Sequence, residues 1–475
     1  MKMLLADTWV DRERSIEVRD PYDGSVIDTV PAAAAEDIEA SLAAAARGAE
    51  VARSMTSYQR ATVLRDTADS VEKRAEEFAR TIAREGSKTI REARKEVRRC
   101  VNVLNVSADA SKQLVGETIR FDSFPGGENR IGYYERGPIG VVAAITPFND
   151  PLNLVAHKLG PAVAAGNAVI LKPATSTPLS ALKLVETFVE HGLPPLVIQA
   201  ITGEARDMGD QLIADDRVRM ISFTGGVDTG KMITQRAGLK KLGMELGSNS
   251  PVIVWSDSNV AWAAETCVSG AFAAAGQNCI GVQRLYIHDS VYDEFRDRFV
   301  SLTSRYQVGD KLSEATDMGP LIDERAAERV ERQIRDAERA GATVLTGGTR
   351  EGTLIPPTVL ENVPTSAEIH HQEVFGPTVN LYRVSDLDDA IAQANSLPFG
   401  VHAGVFTQDV DTAFYAAREL DCGGVMINDS TDYRLDAMPF GGVKDSGLGR
   451  EGVRFSLYEM TEPKVVCFHL AKPKG

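Results

Sequence analysis

Residues 168–201 read Ala168-Val-Ile-Leu-Lys172-Pro-Ala-Thr175-Ser-Thr-Pro178-Leu-Ser-Ala-Leu-Lys183-Leu-Val-Glu-Thr-Phe188-Val-Glu-His191-Gly-Leu-Pro-Pro-Leu196-Val-Ile-Gln-Ala-Ile201. An apolar run over 168–171, a helical stretch over Pro178–His191 and a second β-rich run over 196–201 make a strand–helix–strand unit. Further β-rich runs lie at Arg130–Glu135, Gly140–Ile145 and Met220–Phe223. Strands alternating with helices imply an α/β fold, a mostly parallel sheet with crossover helices in a doubly wound layout. The uninterrupted apolar run Val252-Ile-Val-Trp255 supports burial of the strands on both faces. A second alternating set predicts a further α/β domain over about 247–442: helices at Asp289–Tyr306 and Glu324–Ala340, strands at Thr343–Leu345, Asn380–Tyr382 and Val401–Phe406. Residues 35–113 read as long amphipathic helices, with Val63, Leu64, Thr67, Ala68 and Val71 three and four apart. The tail runs into a strand-like Lys464-Val-Val-Cys-Phe-His469, suited to pairing with another subunit.

At 475 residues the chain is too long for one ordinary core. Its hydrophobic and charged fractions, 43% and 25%, are those of a globular protein. The formal net charge of −15 argues against nucleic acid as a partner, because neutralising phosphates needs clustered Lys and Arg. The five cysteines (100, 267, 279, 422, 467) lie far apart in no zinc or C-x-x-C spacing, and the seven histidines show no ligand spacing, so no metal is expected. That cysteine usage fits a reducing cytosol. Asp7 and Asp11 break the N-terminal apolar run too early for a secretory signal, and no segment reaches the ~18 apolar residues of a membrane span. A cytoplasmic protein without membrane contacts is the expectation.

Chemistry concentrates in a few segments. Ala275-Gly-Gln-Asn-Cys279-Ile280 sets a cysteine among small residues, downstream of Glu245 in Met244-Glu-Leu-Gly-Ser-Asn-Ser-Pro251. A lone cysteine is more often a small buried hydrophobe than a nucleophile. Phe223-Thr-Gly-Gly-Val-Asp-Thr-Gly-Lys-Met232 fits the start of a P-loop. Met232, however, stands where Ser or Thr must hold Mg²⁺, which disfavours an NTPase. A strand entering glycines and then a helix still offers helix N-terminal amides to an anion. Lys172 ends an apolar strand and, taken alone, reads as a solvated strand end.

Cys279 and Glu245, in this order and spacing, resemble the aldehyde dehydrogenase superfamily. So do Ile145-Thr146-Pro147-Phe-Asn149, Lys172, Gly225-Gly226, His371-Gln-Glu373-Val-Phe375-Gly-Pro377 and the glycine-rich Met438–Gly452. The resemblance implies a Rossmann-type cofactor domain (1–118 and 138–246), a catalytic domain (247–442) and subunit-bridging strands (119–137 and 453–475) in a homodimer or homotetramer. It implies oxidation of an aldehyde to a carboxylic acid. Cys279 would attack as thiolate and pass through a thiohemiacetal and a thioester, Glu245 would activate the hydrolytic water, and Asn149 would join the Cys279 amide as oxyanion donor. NAD(P) would lie against Thr146, Pro147, Lys172, Gly225 and Gly226, with Glu373 at the nicotinamide ribose and Phe375 near the ring. Many NAD-preferring relatives carry glutamate where Thr175 stands, and this neutral residue beside Lys172 leans the reading toward NADP or dual use.

The segments around His157 and Asp432-Tyr-Arg434-Leu-Asp436 resemble a branch handling small polar aldehydes, among them lactaldehyde, non-phosphorylating glyceraldehyde-3-phosphate and phosphonoacetaldehyde dehydrogenases. Candidate substrate residues are Arg99, Asn102, His157, Asn278 and Arg434, the last expected near a tunnel mouth. A guanidinium would suit an anionic substrate. Two other readings stay open: a coenzyme A-acylating dehydrogenase, which the presence of Glu245 opposes, and a non-catalytic binding or structural protein on the same fold.

Overall fold

The computed structural model describes residues 1–471, the side chains of 205–207 excepted. Two large sheets organise the chain. The first has eight strands in the order Gly447–Leu448, Lys241–Glu245, Val218–Thr224, Val141–Ile145, Ala168–Lys172, Ile198–Ala200, Met3–Leu5, Thr8–Val10. Its five central strands are parallel, and the outer additions are antiparallel. The crossover helix Leu179–Glu190 buries Leu182, Leu184, Val185 and Phe188, as its apolar spacing requires. The N-terminal helices Ala35–Ser54, Ser57–Lys73, Ala75–Glu85 and Ile90–Gln113 cover this unit. Thr56 and Thr89 open two of them with reciprocal capping boxes.

The second sheet has seven strands, ordered Thr343–Thr346, Thr358–Glu361, Thr378–Val384, Val282–His288, Ser250–Val254, His402–Phe406, Gly424–Ile427. All pairs are parallel except the first. A third sheet stands apart. In it Thr461–His469 pairs antiparallel with Arg130–Pro138 along its whole length, and Glu117–Thr118 adds a short edge. The β-rich run at 130–135 therefore belongs to this sheet and not to the doubly wound one. The bridging segment expected over 453–475 also differs at its start, where Val453–Glu459 is a helix. Val453 and Leu457 are fully apolar and join the core around the N-terminal helices, so burial there favours the helical period over a strand. Residues 472–475 lie outside the described residues.

In the first sheet, successive strands run outward from Val141–Ile145 on one side through 168–172 to 198–200. The chain then returns to the other side of 141–145 with Val218–Thr224. This reversal opens a crevice at the carboxyl ends of adjacent strands, the position at which doubly wound folds bind ligands. Among the described residues no helix is long and apolar enough to cross a membrane.

Candidate active site

Three chain segments end at this crevice. The strand Val141–Ile145 leads into Thr146–Asn149. The strand Val218–Thr224 leads into Gly225 and Gly226, the latter capping the helix Val227–Arg236, and the strand Lys241–Glu245 terminates on Glu245. From the second unit, the helix Val260–Phe272 ends in a tight turn with left-handed backbone at Ala274, Ala275 and Gly276, and this turn delivers Cys279. Together they enclose a cavity of about 520 Å³ whose wall includes Cys279, Glu245, Asn149, Asn278, Arg99 and Arg434.

Glu245 is buried, and its carboxyl packs so closely on Gly441 that a Cβ there would fall 2.8 Å from Oε1. Burial, reinforced by the nearby Glu451 charge, lifts the Glu245 carboxyl well above its ordinary range. Glu451 behaves in the opposite way. Burial alone would raise it, but the Lys158 ammonium and Arg434 guanidinium outweigh that and hold it at about 2. Lys158 Nζ lies 2.8 Å from Glu451 Oε1 and 3.0 Å from Ser222 Oγ, and Arg434 Nη2 lies 3.1 Å from Glu451 Oε2. Two buried cations thus flank the Glu451 carboxylate. The Cys279 thiol is pushed up to about 12 by burial, with the Arg434 charge the main opposing influence.

The remaining candidate substrate residues separate. Arg99 Nη2, Asn102 Nδ2 and His157 Nε2 all converge on Asp436, at 2.9, 3.2 and 3.1 Å. Asn102 and His157 do not line the cavity, which corrects the expectation that they face substrate. His157 is fully buried. That burial first, and the Arg434 charge second, lower its pKa to about 4, so it is a neutral structural partner of Asp436. Arg99 reaches the wall but is also shared with Asp150 at 3.5 Å. Arg434 is not at a mouth: its side chain is 7% exposed and lies over the Phe440 ring, 3.6 Å from the centroid, with a buried Nε that has no partner. Asn278 accepts from Ile280 N at 3.2 Å and lines the same cavity.

On the cofactor side, Lys172 is buried, not solvated. Its Nζ donates to Pro173 O at 3.0 Å, and burial lowers its pKa to about 8. Thr175 Oγ1 donates to Gly203 O at 3.1 Å. Thr146 Oγ1 and Thr224 Oγ1 are buried without partners, and Pro147, which follows Thr146, is half-buried. A Cβ on Gly226 would meet nothing within 4 Å, so the N-terminus of helix 227–236 is open to a ligand. Gly225 N is bonded to Glu245 O at 3.0 Å. Lys231 pairs with Asp445 at 2.6 Å, which removes it as a phosphate ligand and agrees with the missing P-loop hydroxyl. Glu373 is half-buried, and desolvation raises its carboxyl to about 7. Its Oε1 accepts from Ser248 N at 2.8 Å, and its other oxygen lies where a Cβ on Gly247 would fall. Phe375 meets Phe148 edge-on at 5.7 Å in a second cavity of about 530 Å³ that also holds Arg325, Arg329 and Arg332. Unpartnered hydroxyls, a buried lysine, an open helix N-terminus and nearby guanidinium groups fit an anionic dinucleotide.

Sequence reasoning missed Lys158, Glu451 and Asp436 as parts of this site. A signal existed for Lys158: it is the only permanently charged residue in the helix Asn153–Ala165, which is otherwise apolar and wholly buried.

The chain matches the aldehyde dehydrogenase family over residues 9–466. It is 51% identical to aspartate-semialdehyde dehydrogenase 1 of Pseudomonas canavaninivorans, over 96% of this chain and 97% of that protein. It is 41% identical to 3-sulfolactaldehyde dehydrogenase of Priestia aryabhattai, over 97% and 96%. Among solved structures, NADP-dependent glyceraldehyde-3-phosphate dehydrogenase of Bacillus halodurans complexed with NADP superposes with a TM-score of 0.97 at 36% identity, covering 99% of both chains. With that extent of likeness and this site, the chain belongs to the aldehyde dehydrogenase family and is an NAD(P)-dependent aldehyde dehydrogenase.

Proposed function

We propose that the enzyme oxidises a small aldehyde carrying an anionic group to its carboxylic acid, ending in hydrolysis. The observation that carries this reading is the single cavity onto which Cys279, Glu245, Asn149 and Arg434 all open, with the Arg434 guanidinium on its wall. Three relatives support the anionic class: their names specify aldehydes bearing a carboxylate, a sulfonate and a phosphate.

Cys279 attacks the aldehyde carbon through sulfur, and Asn149 with the main chain receives the oxyanion of the thiohemiacetal. Lys172, Thr175, Thr146, Pro147, Gly225, Gly226, Glu373 and Phe375 hold the nicotinamide cofactor, which when bound supplies the hydride acceptor and a positive ring. The thioester left on Cys279 is opened by water, from which Glu245 in its carboxylate form draws a proton. Arg434 draws the anionic end of the substrate with the part of its guanidinium that Glu451 does not occupy. Thr175 brings no negative charge beside Lys172, which supports use of NADP as well as NAD.

The exposed apolar residues Ile131, Val465 and Phe468 on the third sheet support a homodimer, or a pair of dimers, through that sheet. Five free cysteines support a cytoplasmic location.

The test is reduced-nicotinamide absorbance on a panel of aspartate semialdehyde, sulfolactaldehyde, lactaldehyde, glyceraldehyde 3-phosphate and propanal, each with NAD and NADP. One anionic aldehyde should exceed propanal at least tenfold in kcat/KM, Arg434→Gln should erase that margin, and Cys279→Ala should be silent. Equal rates on propanal would sink the anionic assignment. A strict requirement for coenzyme A would sink the hydrolytic one.

A further inference from the structure

We propose that Glu92 is a positioning residue for the nucleophile: it clamps the left-handed turn that delivers Cys279. The proposal rests on the reading of Cys279 as nucleophile. Glu92 belongs to the helix Ile90–Gln113, in the first unit, whereas the turn belongs to the second. Its Oε2 accepts from Thr89 N at 2.8 Å and Thr89 Oγ1 at 3.0 Å, completing the capping box of its own helix. Its Oε1 is free of that duty and accepts from Ala274 N at 2.9 Å.

Ala274 needs such a partner. It has φ 51° and ψ 36°, and Ala275 follows at φ 57° and ψ 37°, a region that alanine enters only when its surroundings impose it. The left-handed backbone takes the Ala274 amide out of the preceding helix, and Glu92 supplies its acceptor. On the other side Gln277 Nε2 donates to Ala274 O at 2.9 Å, and Gln277 Oε1 accepts from Ile322 N at 3.0 Å. Gly276 completes the turn against the carbonyl of Gly376, where a Cβ would fall 2.2 Å from the oxygen. Both backbone polar groups of Ala274 are thus gripped by side chains, and the grip on the amide side crosses between the two units. Because Cys279 follows within five residues, the place of its sulfur relative to Asn149 depends on this turn.

The experiment compares Glu92→Gln, Glu92→Asp and Thr89→Val in the full-length enzyme. It measures kcat and KM for the best aldehyde and the rate of iodoacetamide labelling at Cys279, read by peptide mass from pH 7 to 9. Exposed Cys467 serves as an internal clock. Glu92→Gln should lower kcat at least tenfold with KM within threefold, and slow Cys279 labelling at least fivefold at every pH while Cys467 labelling is unchanged. Glu92→Asp, the milder variant should Glu92→Gln not fold, withdraws the carboxylate by one methylene and should slow labelling at least threefold. Thr89→Val breaks the capping box but leaves the Ala274 bond, so it should lower Tm and keep Cys279 labelling within twofold. The proposal is overturned if Glu92→Gln, or Glu92→Asp in its place, labels at the wild-type rate, or if Thr89→Val slows labelling as much as the Glu92 variants. Labelling needs no turnover, so it judges Glu92 even if the whole aldehyde panel fails with the wild type, an outcome that would instead refute the functional reading.

Discussion

Glutamine in place of Glu451 removes one charge and little volume, yet its consequences reach both stability and chemistry. Glu451 pairs with Lys158 at 2.8 Å and Arg434 at 3.1 Å, and the three side chains are 8%, 1% and 7% exposed. At an effective dielectric of about 20, each contact has a gross Coulomb energy of about 5–6 kcal/mol. Desolvation of the ions offsets most of that. Removing only one partner of a buried pair, however, leaves uncompensated charge and costs about 3–5 kcal/mol. For a chain of 475 residues the unfolding entropy is on the order of 1 kcal/mol/K, so Glu451→Gln should lower Tm by about 3–5 °C in a scanning measurement at fixed protein concentration. The chemical consequence concerns Glu245, which burial first and the Glu451 charge second hold above the ordinary carboxyl range. Removing that charge lowers the Glu245 pKa. A base whose pKa falls is deprotonated at lower pH, so the acid limb of kcat under hydrolysis-limited conditions should move to lower pH. A Tm within about 1 °C of wild type would refute the energetic argument. An acid limb that stays in place, or moves up, would refute the electrostatic coupling of the two carboxylates.

Asn149→Ala should reduce kcat by about 10²–10³, some 3–4 kcal/mol of lost oxyanion stabilisation, with KM nearly unchanged in steady-state assays. Thr175→Glu sets a carboxylate beside Lys172 and should lower the NADP-to-NAD ratio of kcat/KM at least tenfold; an unchanged ratio would remove Thr175 from cofactor choice. In the enzyme without cofactor, burial pushes the Cys279 thiol up to about 12, so the thiolate is a trace species at pH 7. Labelling of Cys279 should then be slow and rise about tenfold per pH unit from 7 to 10, and a plateau below pH 9 would contradict that.

Some of this molecule was legible because the information is local. The run 168–171 is wholly apolar, and parallel strands buried on both faces demand such runs; Ala168–Lys172 forms one in the first sheet. The helix expected over Pro178–His191 spans Leu179–Glu190, because its apolar residues recur at the helical period. Cys279, Glu245 and the glycines at 225 and 226 stand in short motifs whose chemistry needs those residue types, and Met232 excluded a P-loop by composition alone. The tail strand was expected from its β-rich residues, but its long register with Arg130–Pro138 joins segments more than 300 residues apart.

What the tertiary structure decided is where charged side chains spend their bonds. Arg99, Asn102 and His157 look equally able to meet a substrate in the sequence. Asp436 collects all three, and this is invisible until helices far apart in the chain are packed together. Lys158 and Glu451 are likewise 293 residues apart, and only their shared burial makes them a pair, of which the Glu451 charge raises Glu245 and the Lys158 charge opposes it. Local pattern fixes periodicity and therefore strands, helices and motifs. Desolvation and Coulomb coupling depend on distance in space, so the protonation of Cys279 and Glu245, and the charge left on Arg434 for a substrate, are properties of the folded chain alone.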